Sequence, residues 1–270
     1  MAAGELPSFD LVVASVDRTD ELRRLLDSLD RQTYRRFRVL LVDQNADDRV
    51  GPLVRPGVQR LHAPRGLSRA RNAALPHVAA DVVAFPDDDC TYPDDLLERV
   101  ARRFGADPPL GGLTGRDQMA GWPSESRVLT RDNVWNSAIS FTIFLRAAVV
   151  ARVGAFDERL GLPDSSGEEI DYLIRAIDAG ARIEYDPSFI VHHDATARPL
   201  AQIGARDGAS VGYILRKHGY PRRCVARMLA RPAAGALLSV LRNDRVRTRF
   251  HASTLRGRLL GYRGAAPVRR

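Results

Sequence analysis

The sequence predicts an α/β fold, a mostly parallel central sheet flanked by helices, with a basic helical appendage at its C-terminal end. Three observations carry that prediction. Between residues 9 and 89, three short apolar runs that each lead into aspartate alternate with stretches of helical apolar spacing. The 270 residues, 44 % of them apolar and 27 % charged, are enough to bury one large α/β core. The charge is divided: the net balance is +8, yet residues 201–270 alone hold 16 Lys+Arg against only Asp207 and Asp244, so the preceding body is acidic.

The elements follow in order. FDLVVASV (9–16) reads as a short buried strand, because a short apolar run such as LVVA suits a strand covered on both faces. Asp17-Arg18-Thr19-Asp20 then turns into a helix whose Leu22, Leu25, Leu26 and Leu29 keep i, i+3, i+4, i+7 spacing, with Thr19 or Asp20 as its cap. FRVLLVD (37–43) is a second buried strand ending at Asp43, and GLSRARNAALPHV is a helix entered from a glycine turn. DVVAFPDDD is a third strand running into Asp87-Asp88-Asp89. Strands and helices alternating at this spacing imply crossover connections and a Rossmann-like half, in which ligands gather at the carboxyl ends of the strands. Asp17, Asp43 and Asp87 to Asp89 all fall at those ends.

From Gly105 to Asn133 the chain is rich in Gly, Pro and polar residues, which predicts irregular excursions around a site. NSAISFTIFLRAAVVARVG resumes with a strand and a short helix. SSGEEIDYLIRAIDAG is a helix striped by Ile170, Leu173, Ile174 and Ile177, capped by Ser165 or Ser166 and stopped by Gly180. RIEYDPSFIVHHD is further strand, and GASVGYILRKHG and RRCVARMLARPAAGALLSVLR are basic helices. The expected boundaries are a main domain over 1–196, divided near 104/105 into a nucleotide half and an acceptor half, and a helical extension over 197–270.

Several classes drop out. MAAGELPSFD lacks the basic and apolar regions of a secretory signal, and Cys90 and Cys224 make neither a metal-ligand spacing nor a disulfide framework. The apolar stretch Ala233–Leu241 is about half of what a spanning helix needs. A cytoplasmic protein is expected, resting peripherally on the inner face of the plasma membrane if the basic extension meets anionic lipid through apolar positions such as Val211, Ile214, Leu215 and Leu229. No nucleic-acid-binding motif accompanies the basic residues, so no nucleic-acid partner is expected.

Three carboxylates at the end of a buried strand suit a hard divalent cation, which takes one or two carboxylates and completes its shell with water and phosphate oxygens. An isolated Asp triplet reads equally well as a capping turn; the surrounding segments decide. LVVASVDRTDELRRLLDSLDRQTYRRFRVLLVDQN, GLSRARNAAL, VVAFPDDDCTYPDDLL, VGAFDERLG, GEEIDYLIRAIDAG and IVHHD, in this order, resemble the family 2 glycosyltransferases, over roughly residues 9–195.

That resemblance implies a GT-A fold and a metal-dependent, inverting glycosyltransferase of the hexosyltransferase-like class, using a uridine or thymidine diphosphate sugar. It implies Mn²⁺ or Mg²⁺ as cofactor and a glycan, lipid-linked or cell-envelope precursor as acceptor. By position, Ser15, Asp17 and Asp43 would contact the nucleoside, with Arg71 and Arg69 near the nucleotide. Asp87 and Asp89 would form the Asp-any-Asp pair that holds metal and diphosphate, although an alignment on Pro93 makes Asp88 the principal ligand instead. Glu169 stands where the family has its general-base aspartate, in a Glu168-Glu169 pair where Glu-Asp is usual. Its side chain reaches one methylene further, and in the first helical turn the dipole favours its ionised form. His193 would lie near the metal or diphosphate, with a structural histidine as the alternative, and Trp122, Glu168 and Asp171 fall on the acceptor side. A sugar nucleotidyltransferase on a similar sheet and a non-catalytic binding protein of this fold remain the rival readings.

Overall fold

The structure is a computed structural model that describes residues 5–162, 165–194 and 200–264. In chain order the strands are β1 (Phe9–Ser15), β2 (Phe37–Asp43), β3 (Val58–His62), β4 (Val82–Ala84), β5 (Cys90–Thr91), β6 (Gly112–Asp117), β7 (Arg127–Val128), β8 (Phe144–Arg146) and β9 (Ile183–His193). The helices are α1 (Asp20–Asp30), α2 (Leu67–Ala74), α3 (Leu96–Ala106), α4 (Ala147–Val153), α5 (Glu168–Asp178), α6 (Leu200–Lys217), α7 (Arg222–Leu241) and α8 (Arg245–Arg263). The chain forms two compact units: one runs to Phe156 and includes Glu169–Asp194, the other joins Asp157–Glu168 to the residues from 195 onward. The second unit thus takes in a short segment ahead of the expected boundary at 196.

In the first unit the strand order is β3-β2-β1-β4-β8-β6-β9-β5, with β7 also on β9. The first four strands of that order are parallel, as the strand–helix alternation requires. β8 enters antiparallel between β4 and β6, while β6 and β9 are again parallel. Four strands went unread in the sequence: β3, β6 and the two-residue β5 and β7. β3 (VQRLH) is half-buried at the sheet edge and so carries no clear apolar pattern. β6 (GLTGRD) lies inside the segment expected to be irregular, and its strand character comes from pairing with β8 and β9. The third apolar run also stops earlier than expected: β4 ends at Ala84, and Asp87 rejoins the sheet through a single parallel bridge to Ala14.

Thr19 occupies the N-cap of α1 without a side-chain capping bond, and Asp20 bonds Arg23 instead. The buried Gln32 explains the QTY turn after this helix. Its amide donates to Pro93 O (2.7 Å) and accepts from Leu97 N–H (3.1 Å), tying the end of α1 to the segment that follows the aspartates. Phe9, Leu11, Leu25, Leu41, Tyr92 and Phe144 lie in the core beneath this clamp.

In the second unit, α6 and α8 pack at backbone distance. A Cβ on Gly212 would fall 2.1 Å from Arg258 O, and one on Gly261 would fall 2.0 Å from Ala209 O, so only glycine permits the approach. Ile214 and Leu215 are buried in this unit, not offered to a membrane as the sequence suggested. α7 runs unbroken through Pro232 for 20 residues, and its most apolar 18-residue stretch has mean hydropathy 1.4. By length and composition it is the one helix among the described residues able to cross a membrane, which corrects the half-length expected from Ala233–Leu241.

Candidate active site

The turn after β1 and the segment after β4 meet at the carboxyl ends of the parallel strands. Asp17 there has a left-handed backbone (φ 59°), held by its N–H donating to Asn45 Oδ1 at 2.7 Å. That kink aims its carboxylate at Arg65 Nη2 (2.7 Å) and Arg49 Nη1 (3.2 Å), leaving it half-exposed at the rim. Asp43 is buried one strand away. It accepts from the Asn45 N–H and side-chain amide on one oxygen and from Arg60 on the other, at 2.6 to 3.0 Å. Burial alone would raise its pKa, but these donors outweigh it and hold the carboxyl below its ordinary value. Asp43 therefore fixes Asn45 and Arg60, and Asn45 in turn fixes the Asp17 turn.

The aspartate triplet splits into two directions. Asp88 is buried against Ser15 and Arg18, with Arg18 Nη1 at 2.8 Å from its Oδ1. Burial pushes the Asp88 carboxyl up to about 6 against the pull of Arg18 and Ser15, and the charge of Asp89 adds to the rise. Asp87 and Asp89 turn instead toward His193, which β9 delivers by pairing with Cys90 of β5. The imidazole stacks flat on Phe141, centroids 4.7 Å apart, and its Nε2 stands 3.1 Å from Asp89 Oδ1. Burial would raise the Asp89 pKa too, but His193 and Arg18 more than offset it; His193 is raised in return by its contact with Asp89.

Asp89 Oδ1 is buried and faces His193 Nε2 at 3.1 Å without a well-aligned hydrogen bond. A buried carboxylate oxygen left so is costly unless something cationic completes it. Asp87, Asp89 and His193 each place a ligand atom within 4.8 Å of the others, the only such group among the described residues. Two carboxylate oxygens and an imidazole nitrogen fit a divalent cation.

Arg71 of α2 is buried beside this cluster. Its Nη2 lies 3.4 Å from Asp87 Oδ1 and bonds Ser140 Oγ, and its guanidinium stands 5.5 Å from the Phe85 ring centroid and 5.4 Å from that of Phe156. Arg71 and Glu169, in the first turn of α5, line one narrow crevice of about 10 Å³, the space of a single water, with Phe85, Ile143, Phe156 and Tyr172. The structure thus gathers Ser15, Arg71, Asp87, Asp88, Asp89 and His193 and sets Glu169 on the same crevice as Arg71. Other candidates lie elsewhere or serve packing. Arg69 is exposed and bonds Arg65 O, while Asp171 is buried and ion-paired with Arg175 at 3.1 Å. Glu168 is buried in the second unit. Trp122 stacks on Tyr185 and donates to Asp117 at 2.7 Å.

Arg18 and Ser140 are among the participants that went unread, with Asn45, Arg49, Arg60 and Arg65. Arg18 sits beside Asp17 in a turn whose place at a strand end already marked it, so the carboxyl-end rule could have included it. Ser140 had no sequence signal; only the fold brings it under Arg71.

Residues 10–155 match the family model described as Glycosyl transferase family 2. A pre-mycofactocin glycosyltransferase of Mycobacterium tuberculosis is 32% identical over 199 residues, an alignment covering 64% of this chain and 40% of that relative. The chain therefore spans less than half the length of that relative. The succinoglycan biosynthesis protein ExoM of Rhizobium meliloti is 28% identical over 223 residues, with 74% of this chain and 72% of that one covered. Among solved structures, the mannosyltransferase PcManGT from Pyrobaculum calidifontis, in complex with GDP-Man and Mn²⁺, superposes with a TM-score of 0.69 at 16% identity, covering 96% of this chain and 88% of its own. That likeness shows a shared GT-A fold.

Proposed function

The chain belongs to glycosyl transferase family 2, and from that premise we propose that it moves a sugar from a nucleoside-diphosphate sugar to an acceptor hydroxyl with inversion. The observation that carries the proposal is the convergence of Asp87, Asp89 and His193 beside two arginines at the carboxyl ends of the parallel strands. Asp87, Asp89 and His193 would hold a divalent metal, and the imidazole tilts the donor set from Mg²⁺ toward Mn²⁺. When bound, that metal supplies positive charge to the departing diphosphate. Arg18, with a third of its side chain exposed, is placed to add charge from the protein side, and Asp88 holds it there. The Asp17, Arg49 and Arg65 cluster at the rim would receive the nucleoside.

Glu169 takes the proton of the acceptor hydroxyl as that oxygen bonds to the anomeric carbon and the diphosphate leaves from the opposite face. An ionised carboxylate is a weak base, which suffices because the hydroxyl becomes acidic only as bonding proceeds. Arg71 positions Asp87 from below. The acceptor is proposed to be a glycan, lipid-linked or cell-envelope precursor, and the donor a uridine or thymidine diphosphate sugar. The screen that tests this should include guanosine diphosphate sugars, because the Pyrobaculum structure holds GDP-Man. Metal-dependent transfer or hydrolysis of one donor class is the expected outcome. Full activity in both Asp89→Ala and Glu169→Gln would refute the mechanism.

A further inference from the structure

α7 inverts the usual pattern of a surface helix. Its buried positions, Val225, Pro232 and Ser239, recur every seven residues and make one narrow seam. The opposite side carries Ala226, Ala230, Ala233, Ala234, Leu237 and Leu241 at three- and four-residue spacing, all of them exposed. Leu237 is 63% and Leu241 75% exposed, and Leu238, Val240 and Val246 beside them are also more than half exposed. A helix in a water-soluble surface turns polar residues outward; this one turns out an apolar row, interleaved with the exposed Arg223, Arg227 and Arg231. Contiguous exposed apolar surface of this kind marks an interaction site.

The charges around the row identify the occupant. Arg222, Arg223 and Arg227 stand at one end of α7, and Arg242, Arg245 and Arg247 follow at the other. Among residues 201–270 the only acids are Asp207 and Asp244. A second copy would bring like charge against like charge, which opposes association. An anionic bilayer answers both features, its headgroups meeting the arginines and its acyl boundary receiving the apolar row. Arg227 and Arg231 lie within the helix, which suits a helix lying in the interface rather than one crossing the hydrocarbon.

We infer that α7 is an interfacial membrane-binding helix, immersed along Ala226–Leu241 and held by arginines at both ends on anionic phospholipid. The inference is independent of the transfer chemistry.

Co-sedimentation of the full chain with vesicles tests it, using phosphatidylcholine alone and phosphatidylcholine mixed with phosphatidylglycerol. Binding is expected to the mixed vesicles, to fall with added salt, and to drop by at least about tenfold in Leu237→Glu/Leu241→Glu. Replacing Arg242, Arg245 and Arg247 by Gln should cost about fivefold per arginine on the anionic vesicles. Both sets of changes are at exposed positions, so an unaltered melting temperature and helical circular dichroism confirm that folding is intact. Equal recovery with both vesicle types, or binding that the double Glu variant retains, overturns the inference. So does light scattering that shows a dimer in solution which the double Glu variant converts to monomer.

Discussion

Arg18 Nη1 lies 2.8 Å from Asp88 Oδ1, and the same nitrogen also contacts Asp89. A single guanidinium therefore bridges two neighbouring buried carboxylates, and it does so from a turn with a third of its side chain in solvent. Replacing it with a neutral side chain leaves Asp88 without its cationic partner and Asp89 with His193 alone. Arg18→Gln is expected to lower stability by about 1–3 kcal/mol, as lost hydrogen bonds to charged groups do. Urea unfolding measures this; a loss below about 0.5 kcal/mol would remove Arg18 from the site's electrostatics.

Asp89 Oδ1 is buried beside His193 Nε2 without a well-aligned hydrogen bond, and both are candidate ligand atoms, so a cation should depend on Asp89. Mn²⁺ is expected to raise the melting temperature of the unaltered protein and to leave Asp89→Asn unmoved. His193→Gln should weaken Mn²⁺ by at least about tenfold, an effect that even outer-sphere partners of a metal produce. Titration followed by manganese electron paramagnetic resonance reads both, and equal affinity in all three proteins would place the metal elsewhere.

Glu169 lines the crevice shared with Arg71. Glu169→Gln preserves its shape and removes its basicity, so turnover should fall about 10²–10⁴-fold. Nucleoside diphosphate affinity should stay the same, because the donor is held by other residues. A variant that loses nucleotide binding together with turnover would reassign Glu169 to the donor side.

Arg71 is buried between Phe85 and Phe156, its guanidinium carbon about equally far from both rings. Arg71→Lys keeps the charge but not the planar group, and is expected to cost about 1–3 kcal/mol of stability. Thermal unfolding in the absence of ligand is the appropriate measure, since it separates packing from catalysis.

Asp10 carries the acid sensitivity of the sheet. Its carboxylate is buried in β1, where burial would raise its pKa, yet Arg38 of β2 and the N–H groups of Ala79 and Ala80 hold it below the ordinary value. A depressed folded-state pKa gives stability that is fully present above the unfolded value of about 3.9 and is lost as pH falls through the folded one. Asp10→Asn should therefore be less stable than the unaltered protein at neutral pH by about 2 kcal/mol. The gap should close at pH values under about 4, and a gap constant down to the acid transition would contradict the assignment.

The sequence by itself determined the elements whose burial is written in their own residues. β1 and β2 have apolar centres because both their faces are covered, and α1 and α5 show their stripes because one face packs and the other does not. The Asp triplet was legible as a site because the carboxyl ends of parallel strands are where the fold leaves space for a ligand. β3 and β6 were not legible, since strands made by their neighbours need no pattern of their own. Only the tertiary structure decided which aspartates act together. Asp88 went to Arg18, Asp87 and Asp89 met His193, more than a hundred residues distant, and Asp89 touches both. The same holds for α7: its composition suggested a buried or half-length apolar segment, and only packing against a narrow seam showed which side it leaves to solvent. Composition records how much apolar surface a helix has, and tertiary contacts alone decide how much of it is covered.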